Sequence, residues 1–155
     1  MPAQNFIEIT FSDQTLDSVG ISVKNDIEED LKIQGIKKVR YSEVYYIQMQ
    51  LDKNQLEEIA QKLFVDPIIQ EYSINQDIIK DYDFMIEVKY HDNVTDNLGL
   101  TAEEAIKDFT KKTPQKVQSA RRYYFYGNEK QVEKIALGLL CNPIIENYQV
   151  RKKNE

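Results

Sequence analysis

Tryptophan is absent from this chain, cysteine and histidine occur once each, and glycine and proline number five and four among 155 residues. A single cysteine, Cys141, cannot build an internal disulfide framework and suits a reducing compartment, so the expected location is the cytoplasm. The single histidine, His91, has no second histidine or cysteine near it to make a metal-ligand spacing. It also lacks a recognisable partner that would orient it for acid–base work. With so few glycines there is no Walker-type loop, dinucleotide fingerprint or nucleophile elbow. No apolar run approaches the ~20 residues of a membrane helix, and the N-terminus lacks a signal-peptide core. The net charge of −6 disfavours nucleic acid, whose phosphates require a concentrated basic surface. These gaps leave no expected catalytic residue, metal or cofactor, and no nucleic-acid or membrane partner.

The sequence does contain a duplication. LFVDPIIQEYSI (63–74) recurs as LLCNPIIENYQV (139–150), with Leu63, Pro67, Ile68, Ile69 and Tyr72 matched by Leu139, Pro143, Ile144, Ile145 and Tyr148. Proline lacks an amide donor and pushes the residue before it out of the helical region, so each copy reads as helix end, stop and closing strand. On this reading Ile68 and Ile69 begin the strand as β-branched residues. Upstream, FIEITF (6–11) matches MIEVKY (85–90), each alternating apolar and polar with Glu8 or Glu87 on the opposite face. Asp13, Asp17 and Gly20 match Asp92, Asp96 and Gly99; VYYI (44–47) matches RYYF (122–125). Leu56, Ile59, Ala60 and Leu63 match Val132, Ile135, Ala136 and Leu139. Two copies are too few for a solenoid, and a head-to-tail duplication of a small domain fits better.

The repeats span 1–76 and 77–155. The first carries 7 Lys and Arg against 13 Asp and Glu, the second 13 against 13, so the net charge of −6 sits in the first. Either each repeat faces a different neighbour, or surface charge has drifted. Within each repeat a strand leads into a helix of about four turns. Val19, Val23, Ile27 and Leu31 form the apolar stripe of the first helix, and Leu98, Ala102, Ala105, Ile106 and Phe109 that of the second. Gly35 and Pro114 are the expected stops. The next segment, 36–51, is too long for a flat strand and reads as a hairpin turning near Ser42 and Glu43, or as one bent strand. Asp52 with Gln55, and Asn128 with Gln131, have capping-box spacing. The pattern is β-α-β-β-α-β twice: an α+β chain of two ferredoxin-like repeats forming a pseudo-dimer with packed antiparallel sheets. The linker, 75–83, contains Ile78, Ile79 and Tyr82 and is expected to pack on the fold.

Two features invite a functional reading. ARRYYFY (120–126) is basic and aromatic, and alternation puts Arg121, Tyr123 and Phe125 on one face, Arg122, Tyr124 and Tyr126 on the other. The doubled D-x-x-x-D-x-x-G, at Asp13, Asp17, Gly20 and Asp92, Asp96, Gly99, suits turn and cap chemistry and carries too few ligands for a metal.

Each half resembles PurS, the small subunit of phosphoribosylformylglycinamidine synthase. The resemblance rests on the two D-P-I-I-Q-E-Y and N-P-I-I-E-N-Y runs, the turns TLDSVG and VTDNLG, and VRYSE (39–43). Ser18 and Asn97 stand where the family has proline, and VQSAR (117–121) keeps only Val117. The likeness covers 5–150 and implies a non-catalytic subunit bridging the ATP-dependent synthetase (PurL) and the glutaminase (PurQ) in de novo purine biosynthesis. On this basis the candidate partner contacts are Asp13, Asp17, Gly20, Asp92, Asp96, Gly99, Arg121 and Tyr124. Self-association of the fused pair is also compatible with it. A tandem ACT-like module binding an amino acid or nucleotide is the competing expectation.

Overall fold

The computed structural model describes residues 4–127 and 129–153. Its elements alternate as strand β1 (Gln4–Phe11), helix α1 (Ser18–Glu29), β2 (Ile36–Gln48), α2 (Lys53–Ile59), β3 (Gln70–Ile74), β4 (Phe84–Tyr90), α3 (Asn97–Thr110), β5 (Lys116–Gly127), α4 (Val132–Ile135) and β6 (Glu146–Lys152). The strands lie in one antiparallel sheet of order β3-β1-β2-β5-β4-β6, with no second sheet among the described residues. Both repeats therefore read β-α-β-α-β. Of the two readings of 36–51, the hairpin near Ser42 and Glu43 does not form and the single strand does, since β2 runs through that point for 13 residues. Its counterpart β5 runs unbroken for 12.

That correction explains how the chain divides. One compact unit consists of Met1–Asp13, Glu43–Ile78 and Thr95–Ala120; the other consists of Gln14–Ser42, Ile79–Val94 and Arg121–Glu155. Each long strand is cut between the units, β2 at Ser42/Glu43 and β5 at Ala120/Arg121. The first unit is thus β3, β1, the second half of β2 and the first half of β5, with helices α2 and α3. The second unit is the first half of β2, the second half of β5, β4 and β6, with α1 and α4. Four antiparallel segments and two helices make each unit ferredoxin-like, although each draws one helix and one half-strand from the other repeat. The sequence repeats, 1–76 and 77–155, and the compact units are therefore different divisions of the same chain.

Helical periodicity selects the faces that fill each core. In the first unit Leu56 and Ile59 of α2 and Ala102 and Ile106 of α3 close over Ile7, Ile9, Ile47 and Val117. In the second, Val23 and Ile27 of α1 and Ile135 of α4 close over Val39, Ile86, Val88 and Phe125. Each fully buried isoleucine contributes about 1.5–3 kcal/mol relative to exposure. The stripes are shorter than expected. Val19 and Leu98, at their N-terminal ends, are exposed, as is Phe109. Helix α1 stops at Glu29, and the chain then turns through Lys32 and Gly35, both with positive φ. Helix α3 stops at Thr110, four residues before Pro114, with Lys111 left-handed.

The other side of the sheet is also covered. In the second unit Ile79 and Tyr82 of the linker are buried, and Tyr82 meets Tyr124 edge-on at 5.1 Å between centroids. Beside them Arg122 Nε donates to Glu87 Oε2 at 2.6 Å, both residues being buried. In the first unit the buried carboxylate of Glu8 accepts the linker N–H of Ile78. The linker is thus part of the fold, as its three apolar residues suggested.

Candidate partner-binding surfaces

The doubled aspartate–glycine motif joins each helix to the strand that follows it. In the second unit Asp17 is the N-cap of α1: Oδ1 accepts the Gly20 N–H at 2.8 Å and Oδ2 the Tyr41 N–H at 2.9 Å. In the first unit Asp96 does the same for α3, accepting from Gly99 N at 2.9 Å, Ser119 N at 2.6 Å and Ser119 Oγ at 2.7 Å. A carboxylate suits this place because it offers several acceptor sites to donors on two elements. Glycine three residues on is required for space. A Cβ at Gly20 would lie 2.4 Å from the Val39 carbonyl oxygen, and one at Gly99 2.6 Å from that of Val117. Asp17, Gly20 and Gly99 are buried and Asp96 is half-buried, whereas Asp13 and Asp92 are exposed. Tyr124 is fully buried, so its side chain is not at the surface.

The proline turns are where the surface becomes unusual. Helices α2 and α4 each end in one wider turn, Ala60–Phe64 and Ala136–Leu140, whose i→i+5 bonds loosen the helix just before the stop. The side chain of Asp66 then accepts the Ile68 N–H, and Asn142 accepts that of Ile144. Gln70 and Glu146 reach back to the Asp66 and Asn142 N–H groups at 2.8 and 2.9 Å. In the second unit His91 Nε2 lies 2.9 Å from the Pro143 carbonyl, which makes the histidine a brace for this turn. The strands begin only at Gln70 and Glu146, so Ile68, Ile69, Ile144 and Ile145 belong to the turn, contrary to the expectation that they open the strand. Ile68 and Ile144 are 87% and 83% exposed. An isoleucine that free of contacts contributes almost nothing to its own core. The same unit-by-unit repetition holds for the helix starts: Leu98 and Leu100 are exposed in the first unit, Val19 and Ile21 in the second. Apolar exposure is thus repeated at matching positions of the two units. Sequence reasoning missed it because β-branched residues after a proline read as strand; the signal available was Asp or Asn two residues before each isoleucine, in position for a side-chain turn.

The units also differ in charge at one set of matched positions. Arg121 in the second unit bonds Glu146 Oε2 at 2.8 Å, the Leu140 carbonyl at 3.2 Å and the Tyr123 hydroxyl at 3.1 Å. Burial opposes its charge, but the bond to Glu146 and the neighbouring Tyr123 outweigh that and hold its pKa above the ordinary arginine value. The nearby thiol of Cys141 is buried, and burial followed by Glu146 pushes its pKa up, which suits a packed hydrophobe. In the first unit Glu43 occupies the matching position. Among the described residues, no group of three or more His, Cys, Asp or Glu is placed to hold a metal ion. No helix there is long and apolar enough to cross a membrane.

A cleft of about 510 Å³ opens in the first unit beside Asn5, Glu57, Tyr72 and Asn75. Its polar groups largely bond one another: Asn75 Nδ2 to Asn5 Oδ1, Asn5 Nδ2 to the Met49 carbonyl, and the Tyr72 hydroxyl to Glu57.

Comparison with known proteins bears directly on these repeated features. The family model PurS, phosphoribosylformylglycinamidine (FGAM) synthase, matches twice, over residues 5–77 and 83–154. The chain belongs to the PurS family. It carries two PurS repeats in tandem, and the turns at Pro67 and Pro143 fall at matching places within them. Among solved structures, the PurS subunit of phosphoribosylformylglycinamidine synthase from Thermotoga maritima is 29% identical; the match covers 46% of this chain and 90% of that one, with a TM-score of 0.33. A search of curated proteins gives no match.

Proposed function

We propose that this chain is the PurS-type component of an FGAM synthase complex in the cytoplasm, binding the synthetase (PurL) and the glutaminase (PurQ) so that ammonia released from glutamine reaches the amidine-forming site. The observation that carries this reading is the tandem PurS match over nearly the whole chain. The matched exposed isoleucine turns, Ile68 and Ile144, give it a physical surface for contact. One chain then supplies both copies of a small domain, and the packed linker keeps them together without a concentration-dependent step. Asp17, Gly20, Asp96 and Gly99 fix the starts of α1 and α3, and Asp13, Asp92 and the exposed part of Arg121 are the candidate contacts that lie at the surface.

A ligand-binding module in the manner of ACT domains is the second reading, and the cleft beside Tyr72 is the observation in its favour. The internal pairing of its polar groups counts against it, because a polar ligand would have to break those bonds to make its own. Reconstitution separates the two. With purified synthetase and glutaminase, omitting this chain abolishes glutamine-dependent amidine synthesis and leaves much of the ammonia-dependent rate. Equal glutamine-dependent rates with and without it overturn the proposal. Micromolar binding of an amino acid or nucleotide by calorimetry would then favour the second reading.

A further inference from the structure

The two units are built to one register, and this gives an internal template for a missing group. In the second unit Arg121 stands opposite Val88, and Glu146 opposite Tyr90. In the first, Glu43 stands opposite Ile9, and Gln70 opposite Phe11. Ile9 and Phe11 match Val88 and Tyr90, so Glu43 holds the backbone position of Arg121, and Gln70 that of Glu146. The wider helical turns ending at Phe64 and Leu140 match as well. In the second unit a guanidinium bonds the Glu146 carboxylate and the Leu140 carbonyl. In the first unit that cation is gone and a second acceptor stands in its place. Among the described residues no side chain donates to Glu43 or to the Phe64 carbonyl.

We propose that the place beside Glu43 and the Phe64 carbonyl, here termed the notch, receives an arginine side chain of the partner protein, the external counterpart of Arg121 in the second unit. The surroundings suit a cation. Tyr45, stacked on Phe64 at 4.6 Å, lies within the electrostatic reach of both Glu43 and Asp96. Burial and those two carboxylates push its phenol up to about 12. Burial likewise raises the pKa of Glu43, the mark of a carboxylate that lacks a compensating partner. The unit as a whole carries 6 Lys and Arg against 13 Asp and Glu, whereas the other carries 14 against 13. Arginine fits better than lysine because its planar fork can bond a carboxylate and a carbonyl together, as Arg121 does. The exposed Ile68 and Ile69 immediately precede Gln70, so an arginine seated here would arrive beside an apolar contact.

The inference rests on the chain binding the synthetase, and the test keeps the two claims apart. Affinity of the full chain for purified synthetase is measured for the wild type, for Glu43→Gln, and for the double variant Glu43→Arg with Gln70→Glu. The double variant transplants the ion pair of the second unit and closes the notch from within. Expected are a loss of at least about tenfold in affinity for Glu43→Gln, and a similar loss for the double variant, whose melting temperature does not fall. Wild-type affinity in either variant overturns the notch while leaving the bridging function standing. Absence of wild-type binding overturns the bridging function. In that event the carboxyl ¹³C shifts of Glu43 and of exposed Glu104 are followed during titration with N-acetylarginine amide. A saturable shift at Glu43 alone supports the notch; equal, unsaturated shifts at both overturn it.

Discussion

Removing the carboxylate of Asp17 should cost the second unit far more than loss of a surface charge. The side chain is 3% exposed and bonds two backbone N–H groups, one in α1 and one in β2. Loss of an N-cap costs about 1 kcal/mol. The Tyr41 N–H bond is charge-assisted and half-buried, and leaving that donor unmade costs a further ~1.5–3 kcal/mol. Asp17→Ala should therefore lose about 2.5–4 kcal/mol, which for a chain of this length is roughly a 10 °C fall in melting temperature. Asp17→Ser separates the two contributions. Its hydroxyl can still accept from Gly20 but is too short to reach Tyr41 as well, so only the cap's share, about 1 kcal/mol, should return. Urea titration of the three proteins gives the free energies, and amide exchange at Gly20 and Tyr41 locates them. A loss below about 1 kcal/mol for alanine, the level of an ordinary cap or less, would refute the view that this aspartate clamps helix to strand. So would a serine variant no better than alanine.

Four other outcomes follow from the same structure. Gly99→Ala should destabilise by about 1–3 kcal/mol through overpacking, because its Cβ would meet the Val117 carbonyl and backbone yields little; thermal melts check this. Arg122→Ala leaves the buried Glu87 without its main cation and should cost about 3–5 kcal/mol, whereas replacing both by apolar residues recovers most of it, as a double-mutant cycle would show. The raised pKa of Glu43 means that the folded state holds its proton more tightly than the unfolded state. Stability attached to this group is therefore lost as pH rises through its folded pKa, so Glu43→Gln should melt higher than wild type at pH 7, with the gain vanishing below the ordinary glutamate range. Finally, Ile68→Asp with Ile144→Asp should change stability by no more than about 0.5 kcal/mol, since both side chains stand in solvent, yet weaken partner binding by sedimentation analysis.

Much of this architecture can be read from the residues alone. The prolines at 67 and 143, with the same apolar neighbours, expose the duplication, and period-two alternation gives β1 and β4 their faces. Asp52 and Gln55 form the expected capping box, bonding reciprocally at 2.8 and 2.9 Å. The second copy of that box involves Asn128, which lies outside the described residues; α4 begins later, at Val132, with Gln131 at its cap and no side-chain bond. The exchange of helices between units is not legible. Periodicity says which face of α1 is apolar but not which repeat's strands it covers, and Val23 and Ile27 suit either set. The segment 36–51 exceeds the usual ~3–10 residues of a strand, and 13 of its residues form one strand because the two units share it. Tyr124 is among the candidate contacts that the family resemblance suggests, and only the packed linker, through Tyr82, reveals that its face is covered. Arg121 stands among the candidate contacts from the sequence, but Glu43 does not. Their contrast emerges only when β-register shows that they hold the same place.

The bridging claim is tested most directly by isotope competition. The complex containing this chain is supplied with amide-¹⁵N glutamine in a buffer with excess unlabelled ammonium, and the label in the product amidine is measured. Nitrogen taken mainly from glutamine, falling to the isotopic ratio of the bulk pool when this chain is left out, is the result the account predicts. Product that carries the bulk ratio whether or not the chain is present would contradict it.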